Sequence, residues 1–288
     1  MVTKLKIALA QLNPLVGDVI GNTKKLIDVR SKLDEDIDIL VAPELYISGY
    51  PIDDLVLRED FLDLVEKEIN NLAKITADNK SAIIVGAPRK NANSIKNSVF
   101  VIEKGEIISV KDKHELPNTG VFDEQRIFEK GVLENCVKIK GVNFGLPICE
   151  DIWKETVLKK LSQSGAEIII AINASPFTIS KYDERNDIAL SRVKETKLPI
   201  VYLNRTGGQD ELIFDGSSFS LNYDGKKFSS LEEFKEDISI INFSKNNGKW
   251  IGYGNLKENS SQSERLYKAL VLGCLLYTSD AADDLLCV

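Results

Sequence analysis

Short apolar runs alternate with longer amphipathic segments along most of this chain. Runs rich in β-branched residues predict strands at residues 4–12, 37–42, 81–87, 167–172 and 200–204. Apolar side chains that recur every three or four positions predict helices at residues 22–33, 55–77, 156–164 and 185–197. Because buried strands that alternate with amphipathic helices indicate sheets covered by helices, we predict an α/β fold.

Turn signals add hairpins to this pattern. Strand pairs are predicted around Lys104-Gly105, around Lys140-Gly141 and before the turn Tyr223-Asp224-Gly225. These hairpins predict sheets that are mixed rather than purely parallel. The charged run at residues 232–237 is expected to form a solvated helix or loop face, and Trp153 is expected to pack in the interior.

The composition is that of an ordinary globular protein with an acidic balance. Of the 288 residues, 43% are hydrophobic and 28% are charged, which suits one large buried core. The net charge of −7 disfavours nucleic acid or an anionic membrane as the main partner. The chain begins directly with a strand pattern and shows no secretory signal, and its longest apolar stretch is shorter than the roughly 20 residues of a membrane span. We therefore expect a cytoplasmic protein.

One of the cysteines has the setting of a nucleophile. The cysteines at positions 136, 149, 274 and 287 show no C-x-x-C spacing, so we expect neither a disulfide framework nor a metal site. Cys149 ends the apolar run FGLPIC and precedes two acids. A nucleophilic cysteine needs a proton acceptor and a group that favours its thiolate. The single histidine, His114, could be that partner, although its neighbour Lys113 would then point to the opposite face of an extended segment.

A carboxylate and a lysine offer a second set of partners for Cys149. Glu44, Lys113 and Cys149 each follow a predicted strand, and open α/β sheets gather their sites at such strand ends. In this scheme Cys149 attacks a carbonyl carbon, Glu44 takes the thiol proton, and Lys113 favours the thiolate and stabilises the developing oxyanion. Taken singly, each residue has a commoner explanation in packing or surface polarity, so the prediction depends on the combination.

The combination resembles the nitrilase superfamily, whose members use a Glu–Lys–Cys triad to hydrolyse carbon–nitrogen bonds. The motifs PELYISGYP at 43–51, KHELPN at 113–118, ICED at 148–151, NASPF at 173–177 and NRTGGQD at 204–210 resemble, more narrowly, the glutaminase domains of glutamine-dependent NAD synthetases. The resemblance covers roughly residues 4–273. It implies a four-layer α-β-β-α sandwich and hydrolysis of L-glutamine to glutamate and ammonia through a thioester on the cysteine.

The same resemblance assigns roles to individual residues. It implies that Glu44 is the general base, Lys113 the transition-state lysine and Cys149 the nucleophile. It places glutamine-binding positions at Ser175, Lys181 and Thr119, although the family commonly has tyrosine where this chain has threonine. Two acids that flank these positions are expected to contact the substrate or its ligands, and they are Glu150 and Glu124.

The end of the chain departs from the family pattern. A synthetase domain that binds ATP, Mg²⁺ and deamido-NAD is implied by the family, but its phosphate loop does not occur in this sequence. Residues 274–288 (CLLYTSDAADD and onward) resemble an in-frame translation of a sequencing adapter, so we expect a non-native tail after a glutaminase domain of residues 1–273. The family also implies a homo-oligomer. Two alternatives stay open, namely a stand-alone amidase for another small amide and a non-catalytic assembly domain.

Overall fold

The structure, a computed structural model, describes the backbone of residues 2–283 and the side chains of residues 2–275. The strands are β1 (Lys4–Gln11), β2 (Ile39–Val41), β3 (Ala82–Asn91), β4 (Ser94–Glu103), β5 (Glu106–Asp112), β6 (Val137–Ile139), β7 (Val142–Gly145), β8 (Ile168–Asn173), β9 (Ile200–Asn204), β10 (Thr206–Gln209), β11 (Leu212–Asp215), β12 (Phe219–Leu221), β13 (Lys227–Ser230), β14 (Asp237–Asn246) and β15 (Lys249–Tyr253). The helices are α1 (Val19–Ser31), α2 (Glu59–Ile75), α3 (Glu124–Ile127), α4 (Glu155–Gln163), α5 (Lys181–Thr196) and α6 (Gln262–Asp283).

The strands form two large mixed sheets and one small hairpin. The first sheet has seven strands in the order β15-β14-β1-β2-β3-β4-β5, and the second has six in the order β13-β12-β9-β8-β7-β6. Parallel pairing is confined to the centres, where β2 lies between β1 and β3 and β8 lies between β7 and β9. The outer strands pair antiparallel, as the predicted hairpins required.

Three hydrophobic layers separate four layers of secondary structure. Between the sheets, side chains of β1 and β2 such as Ile7 and Val41 share a cluster with Ile170 of β8 and Val201 of β9. On the outer face of the first sheet, β1 to β3 pack against α1 and α2. On the outer face of the second, β8 and β9 pack against α4 and α5. Because the central strands β2, β8 and β9 are covered on both faces, their runs are almost wholly apolar. The predicted four-layer α-β-β-α sandwich is confirmed.

Several elements differ from the sequence prediction. The charged run was expected to be solvated, but Glu233 is nearly buried because Arg265 of α6 binds its carboxylate, Nε to Oε1 at 2.7 Å. Helix α5 begins at Lys181 rather than four residues later, which brings that lysine into its first turn. Among residues 2–283, no helix is long and apolar enough to cross a membrane. Helix α6 continues to Asp283 into the predicted tail, whose last residues, 284–288, lie outside the described residues.

Candidate active site

The three predicted catalytic residues come from the ends of three strands in two different sheets. Glu44 follows β2 and Lys113 follows β5 in the first sheet, whereas Cys149 begins a short 3₁₀ turn after β7 in the second. All three are buried, with 1% of Glu44, 1% of Lys113 and 6% of Cys149 exposed. The strand ends therefore bring a carboxylate, an ammonium group and a thiol out of water together.

Lys113 lies at the centre of a buried charge network. Its Nζ donates to Glu44 Oε1 at 2.7 Å and to Glu124 Oε1 at 2.9 Å. Glu44 also accepts Asn97 Nδ2 on Oε1 and the Ala174 backbone N–H on Oε2, both at 2.8 Å. The Ala174 contact joins the end of β8 in the second sheet to the carboxylate of the first. The position of Glu44 is consequently fixed from three directions.

The backbone around Glu44 requires a glycine on the neighbouring strand. Gly86 of β3 donates its N–H to Pro43 O at 3.1 Å. A Cβ built on Gly86 would lie 2.4 Å from Leu45 N and 2.7 Å from Glu44 Cα, both of which are backbone atoms. Since the two chains could not approach this closely around a side chain, Gly86 determines how near Glu44 sits to the sheet.

Asp151 ties the cysteine turn to the lysine segment. Its Oδ2 accepts the Ile148 N–H at 3.0 Å, and its Oδ1 accepts the backbone N–H groups of His114 at 3.0 Å and Glu115 at 2.7 Å. Cys149 itself has φ of 45°, a left-handed conformation that is costly for a residue with a side chain. Such strain persists where surrounding contacts over-determine it, and the carboxylate of Asp151 supplies those contacts.

The electrostatics of the network correct one expectation about the thiol. Burial raises the pKa of Cys149 well above its usual value, and the Glu44 carboxylate raises it further, while Lys113 only partly opposes them. The thiolate that Lys113 was expected to favour is therefore disfavoured in the free site, because burial and the Glu44 carboxylate outweigh the effect of the lysine. Burial disfavours the charged form of Lys113, but Glu124 and Glu44 hold its pKa well above its ordinary value. The resting site thus contains a neutral thiol beside a fixed cation.

Glu124 is a more central residue than the sequence indicated. It was expected to contact the substrate or its ligands, and in the structure it binds Lys113 directly and accepts the Tyr50 hydroxyl at 3.1 Å. Burial raises the pKa of Glu124 to about 7, although Lys113 lowers it, and the nearby Glu44 adds to the rise. Nothing in the sequence around position 124 indicated the contact with Lys113, because the two residues lie 11 positions apart at the two ends of one loop.

Two of the predicted substrate-binding residues lie at the ends of α5 and β8. Ser175 is buried, and its Oγ accepts Arg185 Nε at 3.1 Å, while Arg185 Nη1 binds Asp215 Oδ1 at 2.8 Å. Lys181 is half-buried, with Nζ 4.5 Å from the centre of the Trp153 ring and 3.3 Å from Glu184 Oε2. Trp153 was expected only to pack in the interior, but the Lys181 ammonium group lies over its ring.

The other two predicted substrate-binding residues differ in their exposure. Glu150 follows the cysteine and is half-buried; burial raises the pKa of its carboxyl group, while Lys113, Lys154 and Lys181 lower it. Thr119 is exposed, and its carbonyl accepts the Phe122 N–H at 3.2 Å within a turn. In the part of the chain that the structure describes, Thr119 is not brought into the buried network.

The single histidine has a structural partner. His114 Nδ1 lies 2.7 Å from the backbone carbonyl of Gly131, and Nε2 lies 3.5 Å from Glu115 Oε1. Its ring therefore faces a loop carbonyl and a neighbouring acid. This arrangement favours the Glu–Lys–Cys grouping over the Cys–His pair.

Comparisons with known proteins identify the family to which the chain belongs. The family profile described as carbon-nitrogen hydrolase matches residues 6–250. The chain is 38% identical over 238 residues to the glutamine-dependent NAD(+) synthetase of Aquifex aeolicus, covering 82% of this chain and 42% of the relative. It is 34% identical over 275 residues to the enzyme of the same name from Rhodobacter capsulatus, covering 95% of this chain and 50% of the relative. The chain thus spans about half the length of the curated relatives it matches.

Solved structures of such proteins share the fold of this chain. A glutamine-dependent NAD+ synthetase from Acinetobacter baumannii, solved with ADP, superposes with a TM-score of 0.88 at 34% identity, covering 93% of this chain and 51% of that one. An amidase from Nesterenkonia sp. shares the fold, with a TM-score of 0.72 at 19% identity, covering 84% of this chain and 91% of that one. The sandwich, the match over residues 6–250 and the relatives together establish that this chain belongs to the carbon-nitrogen hydrolase family.

Proposed function

We propose that this chain is a glutaminase, which hydrolyses the side-chain amide of L-glutamine to glutamate and ammonia through a thioester on Cys149. The observation that carries the proposal is the buried Lys113 ammonium, shared by Glu44 and Glu124 and coupled electrostatically to the Cys149 thiol. The choice of glutamine is supported by the curated relatives, which are named as glutamine-dependent enzymes.

The first half of the reaction forms the thioester. Cys149 Sγ attacks the amide carbon while its proton passes to Glu44, so the high thiol pKa is overcome only when the base acts together with the attack. The carbonyl oxygen becomes an oxyanion, which the ammonium group of Lys113 stabilises. The proton then passes from Glu44 to the amide nitrogen, the carbon–nitrogen bond breaks, and ammonia leaves.

The second half regenerates the thiol. A water molecule attacks the thioester carbon, and Glu44 accepts its proton. When the tetrahedral intermediate collapses, the carbon–sulfur bond breaks, Sγ recovers the proton, and glutamate leaves. Glu124 holds Lys113 throughout by its 2.9 Å contact, so that the cation keeps its place while Glu44 changes its protonation state.

The rim of the site would recognise the amino-acid end of the substrate. Lys181 is a half-buried cation suited to the α-carboxylate, and Glu150 is an anion suited to the α-ammonium group. Ser175, which follows β8 and accepts from Arg185, is the third residue that we assign to the substrate. Thr119, being exposed, would reach the substrate only if its turn folds towards the pocket.

In a longer parent protein, the ammonia would serve a second reaction. We propose that it feeds the ATP-dependent conversion of deamido-NAD to NAD on a synthetase domain, which would hold ATP and Mg²⁺. In the same proposal residues 1–273 are the glutaminase domain, residues 274–288 are a non-native tail, and the protein assembles as a homo-oligomer. The native reading frame beyond position 273 tests whether the glutaminase domain ends there and whether residues 274–288 are a non-native tail. Light scattering on the purified protein tests whether it assembles as a homo-oligomer.

Ammonia release from L-glutamine tests the proposed function directly. The parent chain, Cys149→Ala and Cys136→Ala are compared, the last being a half-buried cysteine outside the network. We expect activity in the parent and in Cys136→Ala and none in Cys149→Ala, with unchanged circular dichroism. Activity that survives Cys149→Ala would refute the nucleophile.

A panel of amides separates the alternatives. A glutaminase should ignore amides that lack the α-amino and α-carboxylate groups. Equal rates on such compounds would instead identify a general amidase, and inactivity on the whole panel would favour an assembly domain.

A further inference from the structure

The last helix adds a contact to the family domain. The family match ends at residue 250, whereas α6 begins at Gln262. Arg265 of α6 is nearly buried, and its guanidinium carbon lies 3.7 Å from the centre of the Tyr182 ring. The same guanidinium donates Nε to Glu233 Oε1 at 2.7 Å. A charged side chain from outside the matched region is therefore fixed against the start of α5.

Tyr182 is held at its hydroxyl as well as at its ring. The hydroxyl donates to Asn259 Oδ1 at 2.7 Å and accepts from Lys227 Nζ at 3.2 Å. Asn259, like Arg265, lies beyond residue 250. The segment after residue 250 therefore contacts Tyr182 at its ring and at its hydroxyl group.

Tyr182 directly follows Lys181 in the chain. Both belong to the first turn of α5, so fixing Tyr182 fixes the backbone from which the Lys181 side chain extends. On the other side, the Lys181 ammonium rests over Trp153, which ends the 3₁₀ turn that begins at Cys149. The distance between the nucleophile and this cation is consequently set by two independent contacts.

We infer that the segment after residue 250 is a specificity element, in which Arg265 is a positioning residue that seats Lys181 for the carboxylate of an amino-acid amide. The inference rests on the proposed function, because it assigns Lys181 to the substrate's carboxylate. A hydrolase for uncharged amides needs no such cation, whereas an amino-acid amide places its carboxylate at a fixed number of bonds from the carbonyl under attack. An element outside the common domain can therefore set substrate class without touching the catalytic network.

The test separates recognition from chemistry. Arg265→Ala should raise KM for L-glutamine about tenfold, which is about 1.4 kcal/mol of binding free energy, with kcat within about twofold of the parent. Tyr182→Phe keeps the ring but loses both hydroxyl contacts, and should raise KM less. Arg265→Lys keeps a cation beside Glu233 and should restore most of the affinity. Lys268→Ala removes a half-buried lysine of the same helix that pairs with Glu264 and donates to Ser260, and this matched control should behave as the parent.

A second readout reports on the thiol alone. The rate at which iodoacetamide alkylates Cys149, followed on its peptide by mass spectrometry, should be the same in all five proteins. If KM is unchanged in Arg265→Ala, or if alkylation slows in step with the KM change, the inference is overturned. Should Arg265→Ala fail to fold, the KM values of Tyr182→Phe and Arg265→Lys decide. A parent that alkylates normally but releases no ammonia from glutamine would refute the proposed function, and the inference with it.

Discussion

The centre and the rim of the site hold ion pairs of the same kind in different surroundings. At the centre, the side chains of Lys113 and Glu44 are 0% exposed and meet at 2.7 Å. At the rim, Lys181 and Glu184 are 25% and 44% exposed and meet at 3.3 Å. Water screens the rim pair, so it contributes little to stability, whereas an unpaired charge at the centre would be strongly destabilising. The buried pair is therefore fixed when the protein folds, while the exposed pair can be changed at small cost in stability.

The largest effect should follow from removing the central cation. Lys113→Met leaves Glu44 and Glu124 buried without their ammonium partner, and breaking such a pair costs about 3–5 kcal/mol of unfolding free energy. Loss of the oxyanion partner should also lower kcat by about 100-fold or more. Urea unfolding and ammonia release measure the two quantities.

Lys96→Met is the matched control for this substitution. Lys96 is also nearly buried, but its partner Glu129 is 63% exposed and can return to water. We expect a smaller loss of stability and near-normal activity. Equal losses in the two variants would contradict the distinction between a fully buried ion pair and one whose partner is exposed.

A pH-dependent effect should come next in size. Burial raises the pKa of Glu124 to about 7 in the folded chain from an ordinary 4.5. The folded state therefore binds this proton more tightly than the unfolded state, so stability is lost as the pH rises from about 4.5 through about 7. The loss attributable to this group is about 3 kcal/mol at most.

Glu124→Gln isolates the contribution of that carboxyl group. The amide has nearly the same shape but does not titrate over this range, so its unfolding free energy should fall less between pH 5 and pH 8. Urea midpoints of the parent and the variant at several pH values measure the difference. Parallel pH profiles would show that Glu124 does not titrate as its surroundings indicate.

The smallest effect should appear at the rim. Trp153→Leu removes the ring beneath the Lys181 ammonium, a contact worth about 0.5–1 kcal/mol at partly exposed sites. KM for L-glutamine should rise about two- to fivefold with kcat nearly unchanged. Trp153→Phe keeps an aromatic face, so its KM should lie between the KM of the parent and that of Trp153→Leu. A fall in kcat as large as that of Lys113→Met would mean that the rim is part of the catalytic centre.

The sequence predicted which residues converge better than it predicted the contacts that hold them in place. Glu44, Lys113 and Cys149 each follow a strand in a long ordered motif, and β-branched runs such as residues 37–42 mark the buried strands. Ala174 could not be found, because its contribution to Glu44 is a backbone N–H that carries no side-chain signal. The balance of effects on the thiol pKa could not be predicted, because burial and competing carboxylates appear only in three dimensions.

Elements with weak periodicity were also missed. The hairpin of β10 and β11 (TGGQ and LIFD) contains two glycines that dilute the alternation of a strand. Strand β14 follows the charged run, and its burial pattern shows little of a regular inward face. The hairpin forms a small sheet of its own, whereas β14 is placed by pairing with β1 at the other end of the domain sequence.

Gly86 shows that the position of a buried carboxylate can depend on the absence of a side chain at another residue. A methyl group at this position would meet the backbone that carries Glu44 and push the carboxylate out of line without altering its chemistry. In a saturation mutagenesis experiment, position 86 should therefore tolerate as few substitutions as the nucleophile does, although it has no reactive group and no substrate to bind. Inventories of enzyme function that record only reactive side chains would pass over it.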